Sequence, residues 1–139
     1  MKIRIAGTLT LLVKPKEEAE KAIREVMSSL IKNAKDYKID NVKYAEPAPL
    51  KDDFYSIYSN FEVEGEIEKV FGAVMDYGIE NIEVLSPNEV VLKASEIQSI
   101  LNDISGVVNA LDAKIKYYSA QFELLKREYG NRNTSDKRN

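Results

Sequence analysis

Apolar and polar residues alternate from the start of the chain. Over 3–13, Ile3, Ile5, Leu9, Leu11 and Val13 fall on one side, and Lys2, Arg4, Thr8 and Thr10 on the other. That period of two is the mark of a half-buried strand. Gly7 takes an inward position, which predicts a bulge or a close backbone approach. From Pro15 the period becomes helical. Pro15 suits a first helical turn, and Glu17, Glu18 and Glu20 suit its positive end. The predicted helix runs to about Asp36 and turns Ala19, Ala22, Ile23, Val26, Met27, Leu30, Ile31 and Ala34 inward.

A second strand is predicted from Ile39 to Ala45, followed by a stiff Pro47-Ala48-Pro49 connection and Lys51-Asp52-Asp53. A third strand, Phe54 to Glu64, sets Tyr55, Ile57, Phe61 and Val63 on one face. Phe54, Ser56, Tyr58, Asn60, Glu62 and Glu64 take the other. Gly65 reads as a turn into a short helix over 66–77, carried by Ile67, Val70, Phe71, Val74 and Met75. Gly78 is placed to end that helix in the left-handed conformation. A fourth strand spans Ile79 to Leu85. Ser86-Pro87-Asn88-Glu89 fits either a type I turn or a helix start with Pro at its first position. The β-branched Val90-Val91 favours the turn, leading into a short strand Val90–Lys93.

This βαββαβ order places the chain in the α+β class. It predicts a ferredoxin-like sandwich over 1–94, a four-stranded antiparallel sheet with two helices on one face. The last stretch adds a long helix, 95–129, and a polar tail, 130–139, expected to be disordered.

The helix carries the most regular pattern in the chain. Ile97, Leu101, Ile104, Val108, Leu111, Ile115, Tyr118, Phe122, Leu125 and Tyr129 follow one another in alternating steps of four and three, a heptad period. Leu101, Val108, Ile115, Phe122 and Tyr129 take the a positions, and Ile97, Ile104, Leu111, Tyr118 and Leu125 the d positions. Ser95 with Gln98 three residues on predicts the N-terminal cap. Ile100 and Val107 widen the stripe in the first half, as a helix lying on its own domain requires. Polar flanks in the second half (Lys114, Gln121, Lys126, Glu128) suit a helix–helix seam. Gly106 does not shift the phase, and one interior glycine costs only about 1 kcal/mol.

At 1.5 Å per residue the predicted helix measures roughly 50 Å, against a body roughly 30 Å across. An apolar ridge longer than the domain that carries it needs a cover. The expected function is therefore a non-enzymatic interaction or assembly module, self-associating as a dimer or tetramer through Leu111, Ile115, Tyr118, Phe122, Leu125 and Tyr129. The distal aromatics fit a parallel two-stranded zipper poorly. An antiparallel pair, a four-helix contact or packing on a neighbouring subunit's domain suits them better. The alternative function is a small-ligand-binding regulatory domain, with effector sites at a subunit interface.

Composition narrows the chemistry. The chain has no Cys, His or Trp, which removes disulfides, thiolate and imidazole catalysis and nearly every zinc site. Neither a signal peptide nor an apolar run of about 20 residues is present, so a cytoplasmic protein is expected. High Lys, Glu, Ile and Tyr tilts toward a thermophile. The net charge of −3 hides segregation. Residues 1–51 carry 11 Lys/Arg against 7 Asp/Glu, 52–112 carry 2 against 13, and 113–139 carry 7 against 3. The acidic middle repels phosphate backbones and attracts a basic partner or the basic ends of a second copy.

The run Asp76-Tyr77-Gly78-Ile79-Glu80-Asn81-Ile82-Glu83-Val84-Leu85-Ser86-Pro87, followed by a helix with Leu101-Asn102-Asp103, resembles small archaeal proteins. It is also similar to the end of the ferredoxin-like C-terminal domain of WYL-type transcriptional regulators. The resemblance covers about 20 residues and implies fold rather than activity. The chain has no helix-turn-helix and no Trp-Tyr-Leu motif, so the DNA-binding role does not carry over.

The remaining constellations support no enzyme, cofactor or metal. Asp52-Asp53 sits in a loop, and Glu62, Glu64, Glu66 and Glu68 follow one another along a strand and helix start, without convergence on a cation. No glycine-rich phosphate loop exists. An RNA-binding sheet would need aromatics on its central strands, where this one offers Arg4, Ala6 and Thr8, and Phe54 and Tyr58 beside Glu62 and Glu64.

Overall fold

Two long strands carry the body. β1 (Lys2–Val13) and β4 (Tyr55–Glu66) pair antiparallel along their full lengths, from Lys2 opposite Glu66 to Val13 opposite Tyr55. β2 (Tyr37–Tyr44) adds to β4 on one side and β5 (Glu80–Ser86) to β1 on the other, giving the order β2-β4-β1-β5. A two-residue strand, β3 (Ala48–Pro49), also pairs with β4. The protein is thus a mixed α+β fold with a five-stranded antiparallel sheet and three helices.

α1 (Lys16–Asn33) and α2 (Ile67–Tyr77) cover the same sheet face. Period two in the strands and 3.6 in the helices bring Ile3, Ile5, Leu9, Ile57, Phe61 and Val63 against Ala19, Ile23, Met27, Leu30, Val70 and Ala73. Ser59 is the buried polar side chain among them, and its hydroxyl donates to the Lys43 carbonyl at 2.9 Å.

This computed structural model describes residues 1–138, with side chains through 131. They fall into two units, Met1–Ile100 and the residues from Leu101 onward. The third helix, α3 (Ala94–Arg138), supplies the second unit. Its bounds pass the expected end at Tyr129. The disordered tail expected over 130–139 falls mostly on residues whose side chains lie outside those described.

Several expectations are corrected. Gly65 does not turn the chain: it lies within β4, opposite Ile3 and Tyr37, and the strand passes directly from Glu66 into α2. A Cβ there would stand 2.9 Å from that of Tyr37 and 3.0 Å from the Asp36 carbonyl, so the glycine serves strand packing. No strand forms over Val90–Lys93, and Pro87 starts no helix; the backbone stays irregular until Ala94. The cap of α3 is not Ser95 with Gln98. The Lys93 N–H donates to Glu96 Oε1 at 3.3 Å, and the Lys93 carbonyl accepts from the Glu96 and Ile97 N–H groups. Glu96 thus provides the back-reaching half of a capping box two residues earlier than expected.

Two local features match the sequence closely. Gly78 ends α2 at φ 66°, its N–H donating to the Val74 carbonyl at 3.0 Å. Gly7 leaves the space that Ile79 fills, since a Cβ would meet the Ile79 side chain well inside contact distance.

Candidate functional site

The two edge strands carry the same device. Ile39-Asp40-Asn41-Val42 on β2 and Ile79-Glu80-Asn81-Ile82 at β5 repeat an Ile-acid-Asn-β-branched pattern. Asn41 and Asn81 both stand in the left-handed region at φ 53°, which asparagine tolerates better than other side chains. In β2, Asp40 pairs Glu62 while Lys43 pairs Asn60; in β5, Glu83 pairs Ala6 while Glu80 pairs Thr8. Each edge therefore holds one residue more than its neighbour at the same level of the sheet, a matched pair of bulges. Such bulges also blunt exposed edges against unwanted strand pairing. Replacing Asn81 with Ala is expected to destabilise the protein by about 1 kcal/mol, because alanine pays the left-handed penalty. Asn81→Gly should leave the urea midpoint almost unchanged.

Between the bulges, on the sheet face away from α1 and α2, lies a hollow of about 310 Å³ lined by Thr8, Asn41, Lys43, Asn60, Glu62 and Asn81 among others. Thr8 donates to Asn60 at 2.7 Å across its floor. Beside it Arg4 gathers acids of β4 and, beyond it, β2. It pairs with Asp40, with Glu62 at 3.3 Å and with Glu64 at 3.6 Å, while the Asn41 amide donates to Glu62. Part of the acidic middle of the chain is therefore neutralised internally, which weakens its pull on a basic partner.

The Asn41 amide and the Arg4 guanidinium hold the Glu62 carboxyl below the usual carboxylate range. A depressed folded value stabilises the protein above the unfolded one, and the gain disappears as pH falls through the folded value. Glu62→Gln should therefore lower the urea midpoint at neutral pH, and its gap to the parent should close in acid. A gap that stays constant down to about pH 2 would assign Glu62 no such role.

The seam on α3 is the second candidate. The structure places its ten residues, Ile97 to Tyr129, on one helix with no break at Gly106. All ten are exposed, between 43 % (Ile97, Ile104) and 69 % (Tyr129). Ile100, predicted to widen the stripe, is buried in the first unit, and Val107 is half-buried. Every other described residue from Leu101 to Asn131 is exposed. The proposed interface residues Leu111, Ile115, Tyr118, Phe122, Leu125 and Tyr129 belong to this exposed run. Polar flanks brace it: Lys116 pairs with Asp112 at 2.8 Å, Lys126 lies 5.4 Å over the Phe122 ring, and Tyr117 meets Tyr118 edge-on at 5.6 Å.

Sequence reasoning identified the seam but missed the hollow. Its signal was the repeated Ile-acid-Asn pattern, which reads as ordinary strand until the left-handed asparagines are seen. Among the described residues no helix is long and apolar enough to cross a membrane, and no group of three or more acidic side chains converges as for a metal ion. No curated protein and no solved structure matches the chain. A family model does match, over residues 9–128, from the middle of β1 to one residue short of Tyr129, which fits the likeness to small archaeal proteins; the chain belongs to that family, the MJ0538 family.

Proposed function

We propose that this protein is a non-enzymatic assembly module of the cytoplasm, a ferredoxin-like body that self-associates through α3. The body reading draws on the strand order. With the two-residue β3 set aside, the long strands run second, third, first, fourth, as a split βαβ pattern arranges them. The resemblance of 76–87 to the WYL-type C-terminal domain bears on that fold alone.

The observation that carries the assembly reading is the exposed heptad seam. Monomeric proteins rarely leave an apolar ridge of this length in water, and ten such side chains per copy can cover an area on the order of the 1,600 Å² of a standard stable interface. Sedimentation equilibrium of the full-length chain at micromolar concentration tests it. A mass above 15.8 kDa that rises with concentration is expected; a single-chain mass throughout would end the proposal. The excess of 13 Asp/Glu over 2 Lys/Arg across 52–112 argues against nucleic acid as the partner.

A second reading rests on the hollow between the two asparagine bulges. Its amides, the Thr8 hydroxyl and the Lys43 ammonium suit a small polar ligand rather than an apolar one. A thermal-shift screen of polar metabolites, repeated on Asn60→Leu, tests it; shifts of equal size in both proteins would exclude the hollow.

A further inference from the structure

We infer that the partner along α3 is a second copy of this chain lying antiparallel, fully overlapped, with the two-fold axis at the level of Ala113. This arrangement presupposes the self-association proposed above and specifies its geometry.

In this register every a residue of one helix stands opposite a d residue of the other. Leu111 faces Ile115, Val108 faces Tyr118, Ile104 faces Phe122, Leu101 faces Leu125 and Ile97 faces Tyr129. The three aromatics each meet a β-branched aliphatic residue, so each bulky side chain is matched by a slender one in its own layer. A parallel, in-register pair would instead stack Tyr118 on Tyr118, Phe122 on Phe122 and Tyr129 on Tyr129. All the bulk would then gather at one end of a seam that has to keep one width, against close packing.

Charge points the same way. Residues 94–112 carry Glu96, Asp103 and Asp112 and no Lys or Arg, a net −3. Residues 113–129 carry Lys114, Lys116, Lys126 and Arg127 against Glu123 and Glu128, a net +2. Antiparallel helices lay the acidic half of each on the basic half of the other, and oppose the helix dipoles. Parallel helices set like on like. The two copies of Asp112 approach near the axis, where each is offset by its own Lys116 at 2.8 Å.

The open sheet face is a poor alternative cover. Arg4, Lys43, Asn60, Glu62 and Glu64 line it, and an apolar ridge pressed there would strip those groups of water. Antiparallel overlap also has a structural consequence. The two Leu101 residues stand 24 positions apart along the seam, or roughly 36 Å.

The absence of cysteine makes the test direct. Leu101→Cys and Leu125→Cys are introduced separately into the full-length chain, and each is oxidised mildly alone and then after mixing and exchange. A disulfide needs Cα atoms within about 7 Å. The antiparallel register predicts covalent heterodimers in the mixture, identified by mass, and none from either variant alone. A dimeric protein in which Leu101→Cys links to itself overturns the antiparallel arrangement while leaving self-association standing. A dimer that links in neither experiment overturns it too, and moves the seam to another surface such as exposed Ile82 and Val84 of β5. A parent chain that stays monomeric removes both claims.

Discussion

Leu111→Glu combined with Ile115→Glu in one chain is expected to abolish self-association and leave a folded monomer. The two residues occupy adjacent layers at the middle of the seam, both more than half exposed in the single copy. In a two-fold assembly four glutamates would enter the interface. Each forfeits about 1.5–3 kcal/mol of burial before any charge repulsion is counted. The summed loss exceeds 6 kcal/mol, more than a ten-thousandfold rise in Kd by the affinity arithmetic. Glutamate is a good helix former, so helical content in the monomer should hold. Ala120→Glu is the control, because position 120 lies on the far side of the heptad and should leave the mass unchanged. If the double variant keeps the parent's concentration dependence, α3 is not the interface.

Phe61→Ala is expected to cost 3–5 kcal/mol of stability, on the scale of buried aromatic truncations. Phe61 is 2 % exposed, in a central strand, opposite Gly7 and beneath the two helices. Domains of this size are stable by about 5–15 kcal/mol, so the variant should unfold at a much lower urea concentration and bring the thermal midpoint toward room temperature. Phe122→Ala makes the comparison sharp. The same atoms are removed from a side chain already 59 % in water, so the body's urea midpoint should barely move while association weakens. Equal effects of the two substitutions on unfolding would contradict the division between core and seam.

Much of the body was readable residue by residue. Alternation placed β1 and β4 to within about two residues and sorted their faces correctly, because one face of each is buried and the other is not. The helical stripe of α1 included all four of its buried residues, though Ile31, assigned inward, proves exposed. The end of α2 was legible because a glycine takes φ 66° without the steric cost a Cβ would bring. Gly65 misled for the opposite reason. A glycine after a strand usually marks a turn, and here it marks close packing of Tyr37, a neighbour remote in sequence.

The asparagine bulges show the same limit. Nothing local distinguishes Asn41 or Asn81 from a strand asparagine facing water. Their left-handed backbone goes with their pairing to β4 and β1, and the polar hollow exists only because four strands bring Thr8, Asn60 and both bulges to one level. Arg4 likewise sits 36 and 58 positions from Asp40 and Glu62, and only strand order makes them neighbours.

Period and composition alone therefore determined the α+β class, the buried face of each long element, the absence of thiol and imidazole chemistry, and the heptad ridge on α3. These properties depend on spacing within a single element, which the chain records directly. Tertiary structure decided the order β2-β4-β1-β5, the cap at Lys93 and Glu96, the matched edge bulges and the ion cluster around Arg4. Each of these needs backbone or side-chain partners that only the folded chain brings into place, and a linear pattern carries no measure of that distance.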